Sequence, residues 1–195
     1  KVAKAVKLPE GYKITWNGDF ENQKRASARL AQVVPVSILL IFVILYVLFG
    51  NARDAGLVLS SVPFAAVGGI LILLICGFNF SISAGIGFIC LFGICIQNGV
   101  IMLMDIKHFL RHRHPLSESV AMGMHSRTRA VLMTAMMAML GLMPAALSHG
   151  IGSESQRPLA IVIIGGLFGA TLFTLFVFPL FVEKIYSHVN LKKLR

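Results

Sequence analysis

The stretch Gly93-Ile-Cys-Ile-Gln-Asn-Gly-Val-Ile-Met-Leu-Met-Asp105 decides how this chain is read. It is apolar along most of its length, yet it sets Gln97 beside Asn98 and ends on a carboxylate. Asn98 and Asp105 lie seven residues apart, which is two helical turns, and so share one stripe of a helix. An amide in hydrocarbon either finds a partner or leaves costly unpaired polar groups, so Gln97 and Asn98 belong against other helices rather than lipid. Two readings stay open: a functional site, or amides that merely hydrogen-bond neighbouring helices and hold a bundle together.

Composition supports a membrane setting. Hydrophobic residues are 56% of the chain and charged residues only 13%, too apolar for a soluble domain. The net charge of +10 is not gathered on any recognisable nucleic-acid module; flanking membrane spans accounts for it, and no nucleic-acid partner is expected. Cys76, Cys90 and Cys95 show neither a CxxC spacing nor a disulfide pattern and read as small core residues. The chain starts Lys-Val-Ala, without an initiator Met or a signal peptide, and is expected to be a piece of a longer protein.

Five apolar runs, about 33–49, 55–76, 82–104, 130–147 and 159–182, each approach the length needed to cross roughly 30 Å of hydrocarbon. The expected fold is an all-α integral membrane bundle of five transmembrane helices. Before it, Pro9-Glu-Gly11 signals a turn, Tyr12–Trp16 alternates like a strand, and residues 20–32 form a helix leading into the first span. Three connections are short, but 107–129 reads as a long polar loop carrying Lys107, Arg111, Arg113, Arg127 and Arg129. The positive-inside rule places that loop and the basic tail in the cytoplasm and the N-terminal side outside.

Gly165 with Gly169, and Ala65 with Gly69, have the small-xxx-small spacing that lets helices approach closely. Pro35, Pro63, Pro144 and Pro179 mark bends or span ends, and Pro158 is placed at or near the first position of the last helix. His108 and His112 have an i, i+4 metal spacing, but Arg111 and Arg113 repel a cation and no carboxylate or thiolate completes the set. Met133, Met136 and Met137, with Met102, are thioethers suited to a soft ion, although Met also fills gaps in helical cores. The sequence offers no nucleophile with a base, no phosphate loop and no cofactor motif, so it reads as a non-enzyme. No Asp or Glu lies in mid-span, so a complete proton relay is not contained in the chain.

A family resemblance rests on Leu8-Pro-Glu-Gly-Tyr12, Trp16-Asn-Gly-Asp-Phe-Glu-Asn-Gln23, Arg25-Ala26, Arg29-Leu30 and Val34-Pro35. It continues through Pro63–Gly69, Gln97-Asn-Gly-Val-Ile101, Arg129-Ala-Val-Leu-Met-Thr-Ala135, Gln156-Arg-Pro-Leu-Ala160 and Gly165-Gly166. In this order the residues resemble resistance-nodulation-division exporters, and most closely their heavy-metal efflux branch. The resemblance implies helices eight to twelve of a twelve-helix, proton-driven pump in the bacterial inner membrane. Residues 1–32 would then be the edge of a periplasmic porter domain with its lead-in helix, 33–183 the transmembrane domain and 184–195 a cytoplasmic tail. It further implies a homotrimer in membrane lipid, working with a periplasmic adaptor and an outer-membrane channel, with heavy-metal cations and protons as the transported species.

The family's other half carries an Asp-Gly and, seven positions after the Asp, a Glu; here Asn98-Gly99 and Asp105 keep that spacing. By this analogy Asn98, with Gln97 beside it, hydrogen-bonds the relay acid of the absent half, and Asp105 and the Thr134 hydroxyl join the network. The drug-exporting branch usually has a Lys at the place of Gln97, and its absence favours the metal branch. The alternatives are an exporter of organic compounds and a non-transporting scaffold or sensor subunit, in which the amides only pack.

Overall fold

The computed structural model describes residues 19–187 apart from 113 and 151. Its helices are α1 (Asp19–Phe49), α2 (Ala52–Leu59), α3 (Ser61–Ile75), α4 (Ile82–Arg111), α5 (Leu116–Leu147), α6 (Ser153–Leu172) and α7 (Phe178–Ser187). A π-helical turn, Phe173–Val177, joins α6 to α7. With α2 and α3 taken as one rod, and α6 to α7 as another, five helices among the described residues are long and apolar enough to cross a membrane. The expected strand at Tyr12–Trp16 lies outside the described residues, among which there is no strand.

Each break has a local cause. Pro63 has no N–H to offer the carbonyl of Leu59 and its ring crowds that turn, so the helix loosens at Ser60. Ser60 and Ser61 donate their hydroxyls to the carbonyls of Leu57 and Val58 at 2.6 and 2.7 Å, a back-bonding that also bends helices. Pro179 likewise cannot bond back to residue 175, and the π-helical turn that precedes it absorbs the mismatch. The turn after α3 closes on Gly77, at φ +69°, where Phe78 N–H reaches the Leu73 carbonyl at 3.0 Å.

Two expectations about boundaries change. The polar stretch 107–129 is not a long loop: α4 runs on to Arg111 and α5 starts at Leu116. Hydropathy reports the length of hydrocarbon crossed, while Lys, Arg, Met and Ala favour helix whether or not lipid surrounds them. Pro158 is the sixth residue of α6, because Gly152, at φ +89°, starts the helix earlier. The cysteines also divide: Cys95 is buried, whereas Cys76 and Cys90 are exposed.

The last rod is the centre of the bundle. Half of its most apolar stretch is buried within the chain, against 6% for α1. α6 packs against α3, α4 and α5. Core side chains gather in two groups. One, including Val58, Met102, Ile106, Phe178 and Tyr186, lies toward the end where α4 meets α5. The other, including Ala65, Phe88, Leu91, Val162 and Leu167, lies toward the opposite end. There Arg157 Nε donates to the Ala146 carbonyl at 3.2 Å and the guanidinium sits 5.1 Å from the Phe78 ring, joining α6 to the end of α5 and to the turn after α3.

Candidate functional site

Asn98 and Gln97 project differently from α4. Asn98 is 8% exposed, and the adjacent Gly99 sits close to Val58 and Phe178, so this part of α4 presses against α2 and α7. Gln97 is exposed. Neither amide makes a side-chain hydrogen bond with any described residue.

Asp105, two turns along the same helix, is engaged elsewhere. Its carboxylate receives Arg127 Nε at 2.5 Å and Nη2 at 3.0 Å, a two-pronged clasp from α5, and the Ser126 hydroxyl at 3.1 Å. Charge-assisted bidentate pairing of this kind fixes both side chains. Asp105 therefore locks α4 to α5 about 10 Å along the axis from Asn98. Thr134 is exposed and donates its hydroxyl to the Ala130 carbonyl of its own helix at 2.9 Å. Within the chain, then, Asn98, Asp105 and Thr134 are not joined into one network.

The thioethers also separate. Met102 is wholly buried in the core, while Met133, Met136 and Met137 are 52%, 55% and 72% exposed on the outer side of α5. Their sulfurs do not converge on Met102. The rings of His108 and His112 lie edge to face with centroids 4.6 Å apart, on exposed residues beside Arg111. No group of three or more His, Cys, Asp or Glu among the described residues is placed to hold a metal ion.

The small residues meet where α3 crosses α6. Gly169 lies against Gly68: a Cβ on Gly169 would fall 3.1 Å from the Gly68 Cα. A Cβ on Gly165 would strike the Ile72 side chain. Ala65 is fully buried, and Gly69 turns toward Phe88 of α4, which a Cβ would meet at 2.6 Å. Gly68, at the point of closest approach, was not singled out by the small-xxx-small spacing.

Sequence reading also missed a buried polar cluster. Asp54, only 2% exposed, accepts Lys107 Nζ on Oδ2 at 2.6 Å and the Tyr186 hydroxyl on Oδ1 at 2.7 Å. The Lys107 ammonium also lies 5.2 Å from the centre of the Phe49 ring. The Asp54 carboxylate thus ties the first turn of α2 to the end of α4 and the end of α7, and Lys107 extends the cluster to the end of α1 through Phe49. The signal available beforehand was a lone Asp at a helix end, with Lys107 and Tyr186 at ends that an antiparallel arrangement brings to the same side.

The chain matches known proteins along almost all of its length. The profile of the AcrB/AcrD/AcrF family matches residues 1–185. The chain is 48% identical over 174 residues to the cobalt-zinc-cadmium resistance protein CzcA of Cupriavidus metallidurans, covering 89% of this chain and 16% of that protein. It is 45% identical over 179 residues to the nickel and cobalt resistance protein CnrA of the same organism, covering 92% of this chain and 17% of the relative. The cation efflux system protein CusA of Escherichia coli is 35% identical over 198 residues, with 96% of this chain and 19% of that one covered. A crystal structure of a heavy metal efflux pump superposes with a TM-score of 0.77 at 40% identity, over 98% of this chain and 19% of that one. The chain thus spans less than a fifth of the length of these relatives, and with five apolar helices and a family profile matched from residue 1 to 185 it belongs to the AcrB/AcrD/AcrF family of resistance-nodulation-division exporters.

Proposed function

We propose that the protein of which this chain forms part exports heavy-metal cations by secondary active antiport against protons, and that this chain supplies helices eight to twelve of its membrane domain. The observation that carries the reading is the Gln97-Asn98 pair. Two amides stand in an apolar helix, one buried and one exposed, and neither has a hydrogen-bond partner among the described residues. Unpaired amides at membrane depth are costly. Their partner is therefore sought in the remaining helices of the longer protein, where a relay carboxylate facing Asn98 would be its natural acceptor or donor.

In this reading a neutral amide, in place of a cation, leaves the relay acid more strongly governed by desolvation, which favours its protonated form. Asn98 orients that acid and Gln97 stands beside it. Asp105 serves at a distance, by holding α4 against α5 through Arg127, and Thr134 contributes its hydroxyl only if the neighbouring half draws it from the Ala130 carbonyl. The exposed apolar surface of α1 and the outer side of α5 are contact faces for lipid and for the rest of the pump.

The end bearing Lys107, Arg111, Arg127, Arg129 and Lys184 faces the cytoplasm, as the positive-inside rule favours, and the first residues approach from the periplasm. The protein is a multi-pass component of the inner membrane and works as a homotrimer with a periplasmic adaptor and an outer-membrane channel. The names of CzcA and CnrA make cobalt, zinc, cadmium and nickel the first cations to try.

Proteoliposomes of the full-length protein, loaded with a metal-sensitive and a pH-sensitive dye, test this reading. An imposed pH gradient is expected to drive metal in one direction and protons in the other, with each flux halted when the other ion is withheld. Metal movement that ignores the proton gradient would overturn the antiport reading.

A further inference from the structure

Beside the Asp54 cluster, the outer surface where α2 meets α7 forms an open groove of about 700 Å³. Leu57, Phe181 and Ile185 form its apolar part, and Arg53 and Lys184 lie at the end nearer the helix termini. The two consecutive residues Arg53 and Asp54 point about 100° apart on the helix. Asp54 turns inward and is occupied by Lys107 and Tyr186, so it does not neutralise Arg53. Arg53 itself is exposed and has no ion pair among the described residues.

The groove has the polarity of a phospholipid: cations at the level of a helix end, then an apolar trough running toward mid-membrane. From this we infer that it binds an anionic phospholipid, with the phosphate between Arg53 and Lys184 and the upper acyl chain against Phe181 and Ile185. Basic pockets between transmembrane helices recognise anionic headgroups by this combination of charge and apolar contact. The bound lipid bridges α2 and α7 on the outside, as Asp54 and Tyr186 bridge them on the inside. Nothing in this inference depends on which ion the pump carries.

Native mass spectrometry of the purified full-length protein, titrated with phosphatidylglycerol or phosphatidylcholine, tests it. Wild type is expected to retain phosphatidylglycerol in preference, and R53Q/K184Q to bind it on the order of thirtyfold more weakly, the combined effect of removing two cations at a lipid surface. A second variant leaves the charges alone. A Cβ on Gly56 would meet nothing within 4 Å, so Gly56→Leu fills the trough without a clash and is expected to weaken phosphatidylglycerol in the same way. Glycerol phosphate, which has the headgroup charge and no acyl chain, is expected not to compete. Unchanged phosphatidylglycerol binding in Gly56→Leu, or displacement of the lipid by glycerol phosphate, would overturn the inference; if R53Q/K184Q fails to reach the membrane, Gly56→Leu decides alone.

Discussion

Replacing Asp54 by Ala is expected to destabilise the full-length protein by about 3–5 kcal/mol, the usual consequence of removing one partner from a buried ion pair. The loss exceeds that of a surface bridge because of what remains behind. The Lys107 side chain is only 15% exposed and would keep its charge with little but the Phe49 face to meet it. Tyr186, 2% exposed, would keep a hydroxyl without its acceptor. Four helix ends would lose their common tie.

The His114–Glu118 pair gives the contrast. It is 3.7 Å long on side chains 39% and 47% exposed, and Glu118→Gln is expected to change stability by about 0–1 kcal/mol. Thermal unfolding of the two variants in the same detergent should separate them clearly. Asp54→Leu combined with Lys107→Met should cost less than Asp54→Ala alone, since no charge is then stranded. Equal melting of Asp54→Ala and Glu118→Gln would mean that the cluster is solvated in the full-length protein.

The second large effect is expected at Gly68. A Cβ there would fall 2.9 Å from the carbonyl oxygen of Gly165 and 3.2 Å from the Cα of Gly169, both backbone atoms that no rotamer change can move. Gly68→Val therefore pushes α3 and α6 apart along their contact. Inside a bilayer, where apolar burial gives helices little reason to associate, close packing is the main attraction being lost. A penalty of about 1–3 kcal/mol or more is expected, seen as low membrane yield and aggregation on size exclusion. Gly93→Val is the control: it lies in a helix of the same bundle, a Cβ there meets nothing within 4 Å, and its yield should stay near wild type. Similar yields for the two variants would contradict the crossing described for α3 and α6.

The fold was legible because hydrocarbon demands long apolar helices, and five such runs stood in the sequence. The extent of those helices was not. Residues 107–129 are charged enough to read as a loop, yet 107–111 continue α4 and 116–129 belong to α5, because a helix that has left the lipid needs only backbone bonds and tolerant side chains. Pro63 and Pro179 announced bends, and the geometry of Ser60 and of the π-helical turn shows how each bend is accommodated.

The polar groups were legible as residues and not as pairs. Asn98 and Asp105 share a stripe by arithmetic, but whether a carboxylate uses that stripe depends on what stands opposite. Arg127, on the next helix, takes Asp105 first. Asp54 looked like an ordinary helix-end charge because burial arises from the meeting of four elements, and no local pattern encodes it. The methionines divide for the same reason: Met102 falls on the inner face of α4, and Met133, Met136 and Met137 on the outer face of α5.

The most direct test of the central proposal, that Asn98 belongs to the coupling machinery, is metal tolerance in cells lacking their own pump. The full-length protein would be expressed as wild type and as Asn98→Ala, with membrane levels quantified for both. Asn98→Ala is expected to reach the membrane at wild-type levels and lose resistance to the ions that wild type expels. Resistance that survives in proportion to the amount of protein in the membrane would contradict the account and leave Asn98 a packing residue of α4.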